Sequence, residues 1–275
     1  MATRFYLPSS GTATVSPTFN IGWEDTSIAT RLPAFTYKKS TTMTTVSFLD
    51  ADKTNRDVLF RQYITPPLVA QTIASQTIKF QIRGSENHTG NNMFTALHVR
   101  AVNNAGSADI GTILALTRDA TEVVLTTLTN RLFSATSTAL TVSEGDRLVF
   151  EIGTGGDPAA TSNGHDCDLR IGDAAASDLA EDDTSTLDNN PWIEFVTGVT
   201  MRFVDYKFTS ISDDGANTTI KYRVYENNNG SPVVRSEVLT TTSKVLSGSK
   251  TIAECQTDLN TNECFKWGIP ISAQQ

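Results

Sequence analysis

A chain of 275 residues with a formal net charge of −8 and 39% apolar residues can bury roughly 70–75% of its unfolded surface, so it needs no disulfide staples to fold. The acidic balance excludes the basic, clustered footprint of a nucleic-acid binder and argues against adhesion to an anionic membrane. No stretch has the apolar length of a membrane helix.

The opening MATRFYLPSS lacks the apolar run of a secretory signal, which predicts a protein made in a cytoplasm and not exported by that route. Three cysteines, an odd count without an export signal, predict free thiols, with a Cys255–Cys264 bridge as the alternative in an oxidising setting. An apolar segment at Arg4–Leu7 leads into a loop rich in Ser, Thr, Pro and Gly, where Trp23 is expected to plug the edge of the fold. Strands are then predicted at Thr44–Phe48, Val58–Ile64, Thr77–Arg83, Phe94–Val102, Thr112–Leu116, Glu122–Thr127, Arg147–Gly153 and Leu169–Gly172. The physical reason is period-two alternation. Ile78, Phe80 and Ile82 alternate with Lys79, Gln81 and Arg83, and Leu148, Phe150 and Ile152 alternate with Arg147, Val149 and Glu151. Such a strand turns one face to a core and the other to solvent. Before Arg147, the Glu-Gly-Asp turn calls for a positive φ at Gly145, and Asp146 can accept from nearby amides. PWIEFVTGVTMRF closes the series after a long loop. The pattern predicts an all-β, jelly-roll-like β-sandwich over residues 1–203, with Ile82, Leu97, Val99, Leu148, Phe150 and Ile152 inward.

Residues 204–275 read as a small C-terminal module. Ile220, Tyr222 and Val224 alternate with Lys221, Arg223 and Tyr225, and Asn229-Gly230 is a strong hairpin signal. Ser249 caps a short predicted helix carrying Ile252, Cys255 and Leu259 on one stripe. Two or three strands and one helix make a poor core. The module is therefore expected to act in assembly through Tyr206, Phe208, Tyr222, Tyr225, Phe265, Trp267 and Ile269.

Few residues carry candidate chemistry. His98 sits in mid-strand with Arg100 and reads as a solvated or partly packed histidine. His88 lies in a polar loop without a spaced partner. His165-Asp166-Cys167-Asp168 is the densest set of ligand types, but zinc draws paired ligands from two segments and no second pair exists. The acids Asp173, Asp178, Glu181, Asp182, Asp183 and Asp188 have no Lys or Arg among them. They read as a solvated, mobile acidic loop, with calcium as the rival reading. No Gly-x-Ser-x-Gly elbow or phosphate-binding glycine loop occurs. Glu151 and Glu194 read as outward, solvated acids. Trp23, Trp192 and Trp267, with Tyr37 and Tyr63, could form a sugar-stacking platform, although core packing is the simpler use of each. No cofactor, metal or catalytic residue is expected.

Taken together, MATRFYLPSSG, VSPTFNIGWED, RLVFEIG, LRIGD and PWIEF resemble a family of uncharacterised β-sandwich virion structural proteins of tailed bacteriophages. The resemblance covers residues 1–203 and carries over no functional residue. It implies a capsid decoration, a neck or tail component or a fibre-like appendage that is not an enzyme. It also implies a homo-oligomer in contact with other virion proteins, located in the virion after synthesis in the host cytoplasm. The competing reading is a carbohydrate-binding module on a receptor-binding appendage, with a host surface glycan as partner; an enzyme ranks third.

Overall fold

The computed structural model describes residues 2–49, 57–88, 90–156, 166–174, 177–213, 218–228 and 231–243, the stretch from 203 onward as backbone. Among these residues every regular element is a strand. They are β1 (Thr3–Tyr6), β2 (Thr30–Pro33), β3 (Thr44–Phe48), β4 (Asp57–Ile64), β5 (Gln71–Ile73), β6 (Thr77–Glu86), β7 (Met93–Val102) and β8 (Asp109–Arg118), followed by β9 (Thr129–Thr136), β10 (Leu140–Val142), β11 (Arg147–Gly156), β12 (Cys167–Ile171), β13 (Trp192–Phe195), β14 (Phe203–Asp213), β15 (Thr218–Asn228) and β16 (Ser231–Ser243). The chain divides into two compact units, Met1–Thr200 and Met201–Gln275.

The first unit is a β-sandwich. One sheet runs β1-β13-β6-β12-β3, with β9 on the other edge of β6; the second runs β2-β4-β11-β7-β8. All pairings in these two sheets are antiparallel except that of β2 with β4. Strands near in sequence, such as β3 and β4 or β6 and β7, lie in opposite sheets, a trait of jelly-roll sandwiches. The aromatic rings meet between the sheets. Phe5 of β1 packs on Phe150 of β11 at 5.1 Å between ring centroids, Phe195 lies 6.2 Å from Phe150, and Phe48 lies 6.4 Å from Phe60. Ile82, Leu97, Val99, Leu148, Phe150 and Ile152 are all buried, as alternation requires.

The turn before β11 has the predicted chemistry. Gly145 adopts φ +94°, a conformation that costs a residue with a Cβ, and Asp146 Oδ2 accepts the Ser143 amide at 2.7 Å. Gly153 has a different reason to be glycine. It follows a register shift in the pairing with β4, and a Cβ there would lie 1.9 Å from the Val58 carbonyl oxygen and 2.9 Å from the Trp23 ring.

The sequence-based strand assignment differs locally in two places. Glu122–Thr127 is not a strand. Leu125 makes one isolated bridge to Glu86, and Thr126 sits at φ +57°, which ends extended backbone. The strand lies later, at β9, where TNRLFSAT hides its alternation among small polar residues. Cys167, just ahead of the strand predicted at Leu169–Gly172, opens β12 and is fully buried.

The second unit contains a three-stranded antiparallel sheet in the order β14-β15-β16. The Asn229-Gly230 turn and the predicted helix after Ser249 lie outside the described residues, as do Cys255 and Cys264.

Candidate functional site

The outer face of the second sheet carries a row of polar residues in register across four strands. Arg31 of β2 stands opposite Gln62 of β4, Gln62 opposite Glu151 of β11, and Glu151 opposite His98 of β7. Alternation turns these side chains away from the core, so Glu151 is expected in water and His98 solvated or partly packed. Instead Glu151 and His98 are buried, because the N-terminal segment before β2 crosses this face. Trp23 supplies the apolar part of the cover, packing on Leu59 and Ala96 with Phe19, Ala29 and Leu116 around it. Trp23 is therefore a plug on the sheet face and not at the sandwich edge.

Glu151 is the centre of the polar part. It accepts from Gln62 Nε2 at 2.8 Å, Trp23 Nε1 at 2.9 Å and the Asn20 amide at 3.0 Å. Two cationic or potentially cationic groups also approach it, His98 Nδ1 at 3.2 Å and Arg100 Nη2 at 3.3 Å. Asn20 Nδ2 lies 3.3 Å from His98 Nε2, which places the other ring nitrogen, Nδ1, on the side of the carboxylate. Burial pushes the Glu151 pKa up, but the hydrogen bonds from His98 and Gln62 and the charges of His98 and Arg100 outweigh it and hold it below the ordinary value. A carboxylate with this many donors and no open side has no room for a substrate. Its chemistry here is to bind the chain's own segment.

The first sheet's outer face is covered in a similar way, by the acidic segment. Arg4 of β1 stacks over the Trp192 ring at 3.8 Å and bridges Asp178 at 2.6 Å and Glu194 at 2.8 Å. Lys38 reaches Asp178 at 2.7 Å, and the Tyr6 hydroxyl donates to the same carboxylate at 3.3 Å. Lys79 pairs with Glu181, Arg83 and Arg170 with Asp188, and Arg131 with Asp183. The expectation of a solvated, mobile acidic loop is thus corrected. Asp178, Glu181, Asp183 and Asp188 are tied to cations of the sheet and of the stretch before it. The same pairing answers the calcium reading, since carboxylates shared with Arg and Lys are poor partners for a hard cation. For Asp178, burial raises the pKa, but hydrogen bonds and charges from Lys38 and Arg4 lower it further, leaving it below its ordinary value.

A third polar group lies at the end of the sandwich interior. Glu86 is buried and accepts the Met93 amide at 3.1 Å. Burial, followed by the charge of and a hydrogen bond with Glu122, pushes its pKa up to about 7. Cys167 faces the same interior, and burial pushes its thiol well above the ordinary value, with Asp168 and Glu86 adding to the effect. A thiol held neutral in this way is no nucleophile.

The other sequence candidates do not assemble into a site. Trp192 and Tyr63 are fully buried, and the Trp192 indole donates to the Leu179 carbonyl at 2.9 Å. Tyr37 is exposed and stacks on Phe35. No sugar platform forms from these described residues, and Trp267 lies outside them. His88 Nδ1 accepts the Gly90 amide within its own turn. His165 lies outside the described residues, and strand alternation sends Cys167 and Asp168 to opposite faces. Among the described residues no group of three or more His, Cys, Asp or Glu could hold a metal ion. Of the expected assembly residues, Tyr206, Phe208, Tyr222 and Tyr225 fall on β14 and β15, whereas Phe265, Trp267 and Ile269 lie outside the described residues. The acid pair Glu86 and Glu122 was not singled out from the sequence; 36 positions separate the two, and only the loop path past β6 joins them.

No family model matches the chain, and no curated protein matches it. Two solved structures to which it is similar are both CocE/NonD family hydrolases from Staphylococcus aureus. One has a TM-score of 0.42 at 10% identity, covering 71% of this chain and 36% of that one. The other has a TM-score of 0.40 at 10% identity, covering 71% and 37%. The chain spans well under half the length of either hydrolase. These neighbours overturn the expectation of a bacteriophage virion structural protein, its carbohydrate-binding alternative, and the expectation that the chain is not an enzyme. Both are hydrolases and neither is a particle protein. A likeness of this depth transfers no activity to the chain.

Proposed function

We propose that the chain is a self-associating β protein whose second unit joins copies of the same chain, with the sandwich as a rigid carrier. The observation that carries this reading is the register of the three-stranded sheet. Tyr206 stands opposite Val224, Phe208 opposite Tyr222, and Ile211 opposite Ile220, while Tyr222 stands opposite Leu239 on its other side. Residues directly opposite share a face, and the register shift after Phe208 keeps Ile211 in phase with it. One face of the sheet thus collects apolar positions. Lys207 opposite Arg223, and Asp205 opposite Tyr225, take the other, which moves Tyr225 out of the apolar set. Among the described residues of this unit there is no second layer to bury that face, and a lone three-stranded sheet is marginal without one. The sandwich supports the reading from the opposite direction, because segments of the chain itself lie over the outer faces of both its sheets. A second copy is the partner with a matching surface already present, and two-fold pairing is the commonest arrangement of such contacts.

Sedimentation velocity on the full chain tests this. The wild type is expected to sediment as an oligomer, and the double variant Phe208→Glu, Tyr222→Glu as a monomer with an unchanged sandwich melting transition. A monomeric wild type, or an oligomer unaffected by the two charges, refutes the proposal.

A further inference from the structure

The Glu151 cluster does more than fill the face of a sheet. We propose that residues 17–23 form an acid-releasable latch, held on the sandwich by the Glu151 carboxylate and freed when that carboxylate takes up a proton. The geometry is specific to this role. Two of the carboxylate's donors, the Asn20 amide and the Trp23 indole, belong to the segment. The others, Gln62, His98 and Arg100, belong to β4 and β7 of the sheet. Glu151 is therefore the carboxylate that takes donors from both sides of the contact. The remaining polar ties to the segment end on neutral groups: Arg31 donates to the Pro17 carbonyl at 2.9 Å and lies over the Phe19 ring, Arg100 and Gln62 donate to the Thr18 carbonyl, and Asn20 Nδ2 meets His98 Nε2 at 3.3 Å. Neutral carbonyl acceptors give up less than a carboxylate does when a cation turns elsewhere.

The groups facing Glu151 make the direction of the switch clear. His98 and Arg100 approach from β7, uncharged Gln62 from β4 and the uncharged Asn20 and Trp23 from the segment. Beyond them lie Arg31 on β2 and Asp109 of β8, which pairs with Arg100. Around a protonated Glu151 this set leaves a buried Arg100 with less compensation and weakens the bonds from the four donors Asn20, Trp23, Gln62 and Arg100. The folded carboxyl titrates below its unfolded value, so its contribution is complete above the unfolded value and is lost as pH falls through the folded one, under about 4.5. Release would uncover Leu59, Ala96 and the partly buried Leu116, the residues that Trp23 now covers.

Hydrogen exchange of the full chain, corrected for intrinsic rates, tests the latch. In Glu151→Gln at neutral pH, exchange at the Asn20 amide is expected to speed up by about tenfold or more, the equivalent of one lost charge-assisted hydrogen bond, with the β7 and β11 amides unchanged. In the wild type, residues 17–23 should lose protection at a higher pH than the sheets do. Trp23→Phe keeps the plug but removes one donor, so its release midpoint should move to higher pH; this variant carries the test should Glu151→Gln not fold. Unchanged Asn20 exchange in a folded Glu151→Gln, an unmoved midpoint in Trp23→Phe, or loss of segment and sheet protection at one common pH would each overturn the proposal.

Discussion

At Glu86 a single carboxyl sets a pH dependence of opposite sign to the acid pairs on the surface. Its folded pKa, about 7, lies above the ordinary 4.5, so between those values the folded chain holds more proton than the unfolded one. Stability therefore falls as pH rises through that window and levels off above it. Glu86→Gln keeps the shape and removes the titration. Its melting temperature is expected to exceed that of the wild type at pH 8 and to match it near pH 4, as scanning calorimetry would read; equal shifts at both pH values would show that the carboxyl is not the cause. Gly153 makes the complementary point about shape. It is glycine because the Val58 carbonyl occupies the space of a side chain, a constraint that no local turn rule contains.

At the level of elements, the acidic segment over the first sheet is tied down by a row of ion pairs beside the buried Leu179 and its backbone bonds. Its carboxylates bond to Arg4, Lys38, Lys79, Arg83, Arg131 and Arg170, with Arg4 also stacked on Trp192. Several of these pairs are partly exposed, so salt screens them. Limited proteolysis within 180–187 is expected to accelerate in 1 M salt, where the screening length drops to about 3 Å, and Arg4→Ala should give the same acceleration without salt. Cleavage indifferent to both would mean that the Trp192 and backbone contacts alone hold the segment. Asp178 adds the sign expected of a paired acid: its pKa is lowered, so its contribution is lost only as pH falls below its ordinary range, the reverse of Glu86.

For the whole molecule, the division at Thr200 assigns the core to one unit. Phe5, Phe150 and Phe195 close that core using residues of the first 200 alone. Residues 1–200 expressed by themselves should fold, and Phe150→Ala should cost about 3–5 kcal/mol in denaturant titrations of the short and full chains alike. A penalty that vanishes in the short chain would mean that the sandwich depends on the second unit. Period-two alternation determined from sequence that residues 1–203 form a β-sandwich, which residues of β6, β7 and β11 face inward, and where the Gly145 turn falls, because each depends on neighbours one to four positions away. Tertiary structure alone decided the rest. Alternation gives Glu151 and His98 an outward face, but only the folded path of residues 17–23 decides that this face is dry. The acidic run contains no cation of its own, and Arg4 reaches Asp178 across 174 positions of sequence. Charge pairing and burial act through space, and the distances that govern them exist only once the two sheets have closed on each other.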